Sequence, residues 1–260
     1  LADIFVNDAF TNCHRNHASM TGIPKYLPSY MGMHLEKEVA NLSIVFKNPP
    51  KPITLVISGA KLETKVPVIE NFFSVGENIL VGGLIANSLL CASGKKIGCS
   101  KFEEEHKKEA EKILSLSNEE GNASLYLPSD TLVADFASDE ANMLNVASSE
   151  VPDDMIIFDI GEKTALDYAY IIENSGLIIW NGPLGKYETQ SFSKGSKVIA
   201  NAVNKATKNG AISLIGGGDT TDFHIRYNLP LDEYTWVSTG GGAMLEFLSG
   251  VELPALKFLI

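Results

Sequence analysis

The sequence predicts an open, doubly wound α/β fold built on a mostly parallel sheet. Short runs that are apolar throughout alternate with amphipathic stretches of helical period, and glycine-bearing turns follow several of those runs. Strands that are apolar on both faces belong to a sheet covered by helices on both sides, and alternation with helices is the signature of parallel crossover connections. The composition agrees. The 260 residues are 45% hydrophobic and 20% charged, enough to fill a core and to exclude disorder as the main state, and the length admits one large domain or two modest ones.

Taken in chain order, Asp3–Val6 reads as a short strand. Tyr26–Phe46 carries Met31, Met33, Leu35, Val39, Leu42 and Val45 at a mostly helical spacing. Asn48-Pro49-Pro50-Lys51-Pro52 stops that helix, because proline lacks the N–H donor and disfavours helix in the residue before it. A domain boundary is placed there. Beyond it, strand-length apolar runs fall at Ile53–Ile57, Ile79–Val81, Leu125–Leu127, Met155–Phe158, Leu177–Trp180, Ala211–Ile215 and Thr235–Val237. Helices are expected over Phe102–Leu116, with Phe102, Ala110, Ile113 and Leu114 inward, and over Thr164–Asn174 and Ser191–Lys208. No internal repeat or low-complexity stretch is present.

Four glycine-bearing turns follow apolar strands: Ser58-Gly59-Ala60-Lys61, Gly82-Gly83, Gly216-Gly217-Gly218-Asp219 and Ser238-Thr239-Gly240-Gly241-Gly242. With 22 Gly in the chain, chance order yields about 0.16 Gly triplets, and these turns contain both of the triplets present. Open α/β sheets bind ligands at the carboxyl ends of their strands, where glycine lets the backbone approach a phosphate and helix-start N–H groups attract anions. One such turn is as readily a tight turn and nothing more; four in one domain favour a ligand. Lys61 and Lys65, four residues apart, are expected on one face at the start of a helix, where two cations suit a polyphosphate. Such a pair is ordinarily a solvated helix face, and its position after a strand–glycine turn reverses that preference. Asp219 suits magnesium, which takes oxygen ligands and bridges phosphates, although helix capping would also explain an Asp there. Glu188, in the loop after Trp180, suits ribose hydroxyls or is a plain surface charge.

Other classes are disfavoured. The net charge of −11 argues against a nucleic-acid coat. Cys13, Cys91 and Cys99 form no disulfide framework or zinc spacing, and no further ligand cluster completes a site around Cys13, His14 and His17. No run approaches the ~18 apolar residues of a membrane span, and Leu1 opens no basic-then-apolar signal. A cytoplasmic, monomeric protein without nucleic-acid or membrane partners is expected. Neither a P-loop nor a Gly-x-Gly-x-x-Gly dinucleotide fingerprint occurs, which disfavours an NAD-dependent oxidoreductase.

Together these residues resemble the phosphoglycerate kinase family. The resemblance is carried by Val6-Asn7-Asp8-Ala9-Phe10 with His14-Arg15-Asn16-His17-Ala18-Ser19, by Ser58–Lys61 with Lys65, and by Leu127–Asp130 and Asp159–Thr164. Trp180–Glu188, Gly216–Thr220 and Ser238–Ala243 complete it, in family order along nearly the whole chain. Thr11 and Ser58 stand where glycines are usual. The resemblance implies reversible phosphoryl transfer between 1,3-bisphosphoglycerate with ADP and 3-phosphoglycerate with ATP, with Mg2+ arriving on the nucleotide. It implies two Rossmann-like domains, so that 1–28 is the tail of a phosphoglycerate-binding domain, 29–51 an interdomain helix and linker, and 52–260 the Mg-nucleotide domain.

Carried over by motif, Lys61 would stabilise the phosphoryl group in transfer, and Gly218, Gly241 and Gly242 would offer N–H groups to it alongside Gly240. Lys65, Asn181, Gly217, Gly218 and Thr220 would hold nucleotide phosphates, Asp219 the metal and Glu188 the ribose. Gly59, Ala60, Gly82, Gly83 and Gly161 would line the adenine side. Arg15, His14 and His17 would hold phosphoglycerate. The rest of the N-terminal domain, with its substrate-holding arginines, is expected to lie outside these 260 residues, so the chain should bind Mg-ADP and Mg-ATP yet turn over poorly alone. The alternative is a non-catalytic nucleotide-binding or scaffold module.

Overall fold

A computed structural model of the chain describes residues 2–259. The elements run β1 (Phe5–Asn7), β2 (Ser29–Met31), α1 (Met33–Leu42), β3 (Ile53–Ile57), α2 (Val66–Val75), β4 (Asn78–Val81), α3 (Gly83–Ala92), α4 (Lys107–Leu116) and β5 (Ser124–Tyr126). They continue with β6 (Asp130–Ala134), β7 (Met143–Ala147), β8 (Ile156–Ile160), α5 (Glu162–Glu173), β9 (Leu177–Asn181), α6 (Lys194–Lys208), β10 (Ile212–Gly216), α7 (Gly218–Arg226), β11 (Trp236–Ser238) and α8 (Gly242–Leu248).

Six strands form one parallel sheet in the order β11-β10-β9-β3-β4-β5. The chain lays β3, β4 and β5 outward on one side, then returns to pair β9 with the free edge of β3. The crevice between β3 and β9 is therefore a topological switch point, the place where open α/β sheets bind ligands. The strands form because both faces are covered. Leu55, Ile57, Ile79, Val81, Ile179 and Leu214 share a buried cluster with side chains from α2, α3, α4 and α8. Val56, Leu80, Ile178, Trp180 and Ile215 point to the opposite face and pack on α5, α6 and α7. The period-2 alternation of strand side chains makes the three layers.

The structure corrects several expectations. Met155–Phe158 does not enter the parallel sheet. Its strand, β8, pairs antiparallel with β6 in a separate three-stranded sheet of order β7-β6-β8. The strands β6 and β7 leave little trace in the sequence, because β6 opens on the polar pair Asp130 and Thr131 and β7 carries Asn145 among partly exposed positions. The helix expected from Tyr26 begins at Met33, since Ser29–Met31 pairs in parallel with Phe5–Asn7. Phe102 precedes its helix and is exposed rather than inward. Residues 2–46 pack against the parallel sheet, with Phe10, Cys13, Leu35, Leu42 and Val45 in the same buried cluster as its strands. Among the described residues no helix is long and apolar enough to cross a membrane.

Candidate functional site

Register places the glycine turns side by side. Ile57 pairs with Val81 on one side and Asn181 on the other, Asn181 with Gly216, and Gly216 with Ser238. Five strand ends thus lie in one row across the sheet, and the residues that follow them are Gly82, Ser58, Gly182, Gly217 and Thr239. Helices α3, α7 and α8 start within four residues of that row, with their first N–H groups directed toward it.

At the switch point the polar groups interlock. Asn181 Nδ2 donates to the Gly216 carbonyl (2.8 Å), and the Thr220 hydroxyl donates to the same carbonyl (2.9 Å) while accepting from Gly182 N (2.8 Å). The Ser58 hydroxyl donates to the Pro183 carbonyl at 2.6 Å, which ties the turn after β3 to the loop after β9. Gly217 has φ +105° and its missing Cβ would lie 2.9 Å from Asn181 Nδ2, so only glycine brings β10 into α7 here. Beside this cluster opens a cavity of about 530 Å³, lined by Gly59, Ala60, Gly83, Phe158, Glu188 and Asp219 among others.

The two lysines part company. Lys65 is not inside a helix but is the residue before α2, and its ammonium group donates to Asn181 Oδ1. Burial pushes its pKa down to about 8, with the Asp219 charge opposing the shift. Lys61 lies in the loop, exposed, four residues ahead of the helix cap. The expectation that both sit on one face of a helix start therefore fails, because the chain between them makes a turn in which Lys65 N donates to the Leu62 carbonyl (2.8 Å). Asp219 is the second residue of α7, behind the cap Gly217, so it is not the capping residue; it is exposed and lines the cavity. An exposed carboxylate beside phosphate-directed N–H groups and an ammonium suits Mg2+ held jointly with phosphate oxygens. Glu188 also lines the cavity, 3.9 Å from Lys186 in an exposed pair.

Gly161 is placed elsewhere. Its Cα packs directly against the Asp130 carboxylate, which caps α5 by accepting from Thr164 N (2.7 Å) and Lys163 N (3.0 Å). It borders a second, smaller cavity, and its glycine is explained by the close approach of Asp130. Gly82 does not border the main cavity; it is packed against Leu184, while Gly83 reaches the cavity.

The Gly240–Gly242 turn faces residues from the start of the chain. A Cβ on Gly240 would meet Phe10 Cδ1 at 2.7 Å, and one on Gly242 would meet His14 Nε2 at 3.5 Å. His14 Nδ1 is buried without a partner, and Arg15 Nε donates to His14 Nε2 at 3.4 Å, so His14 and Arg15 arrive together at this turn. His17 is exposed at the head of a π-helical turn over Ala18–Gly22. Cys13 is buried, its thiol pushed up to about 11 by that burial, and Cys13, His14 and His17 make no metal-ligand cluster among the described residues. Residues 2–46 also supply two anchors that the sequence did not reveal. Fully buried Glu38 accepts from Trp236 Nε1 (2.9 Å), Thr239 N (2.7 Å) and the Thr239 hydroxyl (2.9 Å), fixing α1 to the turn. Asp8 Oδ1 accepts from His34 N (2.7 Å) and Leu35 N (2.9 Å), capping α1 from 26 positions away. Glu38 reads as one charge among several on a helix; only its burial against β11 distinguishes it.

Fold and site together define an open α/β protein whose crevice at the strand-order reversal gathers helix starts, a partly buried lysine and an exposed carboxylate. The chain belongs to the phosphoglycerate kinase family, whose sequence profile, described as Phosphoglycerate kinase, matches residues 1–251. It is similar to the solved phosphoglycerate kinase of Coxiella burnetii, at 41% identity and TM-score 0.92, with 99% of this chain and 65% of that one covered. The enzyme of Pyrococcus horikoshii OT3 matches at 30% identity and TM-score 0.83, with 98% and 64% covered. The chain thus spans just under two thirds of the length of these relatives.

Proposed function

We propose that residues 52–260 are the Mg-nucleotide-binding part of a phosphoglycerate kinase, joined through the helix of 29–51 to residues 1–28 of the phosphoglycerate-binding part. The reaction is reversible phosphoryl transfer between 1,3-bisphosphoglycerate with ADP and 3-phosphoglycerate with ATP. The observation that supports this reading is the row of strand ends at the switch point, where Lys65, Asn181 and Thr220 interlock beside the cavity that Asp219 lines. Such transfer depends on positioning and charge neutralisation more than on covalent chemistry by the protein.

In this reading Lys65 and the α7 N–H groups hold the nucleotide phosphates, Asn181 keeps Lys65 aimed, and Glu188 meets the ribose. Asp219 would hold Mg2+, which when bound neutralises charge on the phosphate oxygens. Exposed Lys61 is free to swing toward the phosphoryl group in transfer, and the N–H groups of Gly241 and Gly242 receive it from the other side. His14 and Arg15 meet phosphoglycerate across that turn. The remaining third of the family length would supply the other cations, so the chain by itself binds Mg-ADP and transfers slowly. Titration calorimetry tests this directly: Mg-ADP binding is expected, and its absence overturns the reading. Mixing with the missing part of a relative should restore transfer; nucleotide binding with no restored transfer would favour the scaffold alternative.

A further inference from the structure

We propose that His224 is a positioning residue for the candidate site: held by Tyr234, it fixes the first turn of α7 and with it the grip of that helix on the phosphate chain of a nucleotide. The proposal rests on the nucleotide reading above and adds to it a side chain outside every motif that carries the resemblance.

The start of α7 has little of its own to hold it. The helix follows Gly216 and Gly217 and opens on Gly218, where a Cβ would meet nothing within 4 Å among the described residues. Asp219 is exposed. Of the residues of α7, Thr220, Phe223 and His224 are the buried ones. Glycine leaves the backbone free, so a helix led in by glycines keeps its place only if side chains further along pin it.

His224 supplies the pin. It is fully buried, and both ring nitrogens are bonded: Nδ1 lies 2.7 Å from the Thr220 carbonyl oxygen and Nε2 2.7 Å from the Tyr234 hydroxyl. A carbonyl can only accept, so Nδ1 carries the proton. Burial lowers the pKa of the ring and keeps it neutral, so Nε2 accepts and the Tyr234 hydroxyl donates. The bonds therefore run one way, from Tyr234 through His224 to Thr220. The Thr220 hydroxyl in turn joins the Gly216 carbonyl to Gly182 N. One chain of bonds thus links the segment ahead of β11 to the turns after β9 and β10, and α7 begins inside it.

Packing alone does not call for a histidine there. The ring sits among Trp180, Phe223 and Tyr234, with centroids 5.3, 5.2 and 5.1 Å away, in edge-on contacts that a phenylalanine would also make. A polar ring in such a place is costly unless its nitrogens are paired. The pairing joins α7 to Tyr234 at the turn that carries Thr220, which is what a positioning role requires.

Two variants test this. Tyr234→Phe removes one hydroxyl and leaves His224 Nε2 without its donor; His224→Phe removes both bonds and fills the same space. Mg-ADP is titrated into the whole chain by calorimetry, and adenosine, which has no phosphate, by displacement of Mg-ADP. Each variant should weaken Mg-ADP about fivefold and adenosine less than about twofold, so that the ratio of the two affinities falls. Ile199→Ala, fully buried on α6, should cost stability and leave the ratio standing, since it lies outside the chain of bonds. Nitrogen NMR of the His224 ring, recognised as the resonance lost in His224→Phe, should show the proton on Nδ1. A wild-type ratio in folded Tyr234→Phe overturns the proposal, and so does a neutral ring with its proton on Nε2. Either result, with Mg-ADP still bound by the wild type, leaves the nucleotide reading intact; failure of the wild type to bind Mg-ADP removes that reading and the proposal with it.

Discussion

The two sides of the candidate site are built differently. On the parallel-sheet side, the groups after β3, β9 and β10 bond to one another, and every strand residue from Ile53 to Ile57 is buried. On the side formed by residues 2–46, β1 and β2 are three residues each, in a two-stranded parallel sheet, with Val6 52% and Tyr30 41% exposed. Two strands alone contribute little stability, and parallel pairs are normally covered. What holds this side is its attachment to the other through Phe10 and Glu38. One side is preformed and self-satisfied; the other borrows its order.

That contrast can be broken most sharply by stability. Leu55→Ala, in the fully buried centre of the sheet, should lower unfolding free energy by about 2–5 kcal/mol in denaturant melts. Val6→Ala, on the exposed strand, should change it by less than about 0.5 kcal/mol. Comparable losses would mean the two regions are equally structural.

Nucleotide binding separates the lysines next. Lys65→Met should weaken Mg-ADP by about tenfold to a hundredfold, the worth of a charge-assisted bond to phosphate. Lys61→Ala should change that affinity by less than about threefold, and its larger loss should fall on transfer in the complemented enzyme. Calorimetry on both variants, with a coupled assay, decides it.

The smallest effect is the pH response. Lys65 is lowered from its ordinary 10.5 to about 8 by burial, so the folded chain disfavours its charged form. Its contribution to stability therefore rises as pH climbs from about 8 toward 10.5, since the unfolded chain holds that proton longer. Mg-ADP affinity should move the opposite way, weakening by about tenfold between pH 7 and 9 as the ammonium is lost. Lys65→Met should flatten that dependence.

Much of this was legible in the chain. Each strand of the parallel sheet shows as an apolar run because it is buried on both faces, and each glycine turn shows because the backbone conformation demands it. The antiparallel strands β6 and β7 were not legible, since β6 opens on the polar pair Asp130 and Thr131 and β7 is partly exposed around Asn145, so neither carries a long apolar run. Gly161 was legible as a special glycine but not in its cause, which is the Asp130 carboxylate 31 residues earlier. Glu38 carries no sequence mark, because what singles it out is burial by partners far along the chain.

The sequence by itself determined the local pieces: the strands, the helix starts, the glycine turns and, through motif order, the family. Apolar period and backbone freedom are properties of neighbouring residues, and they are written locally. Only the tertiary structure decided which pieces meet. Pairing β9 with β3 brings Asn181 to Lys65 across 116 positions, and the packing around that contact desolvates Lys65 and lowers its pKa while Lys61 stays in solvent. Two residues of one type, four apart, acquire different chemistry because desolvation and hydrogen bonding are set by what the fold packs around them.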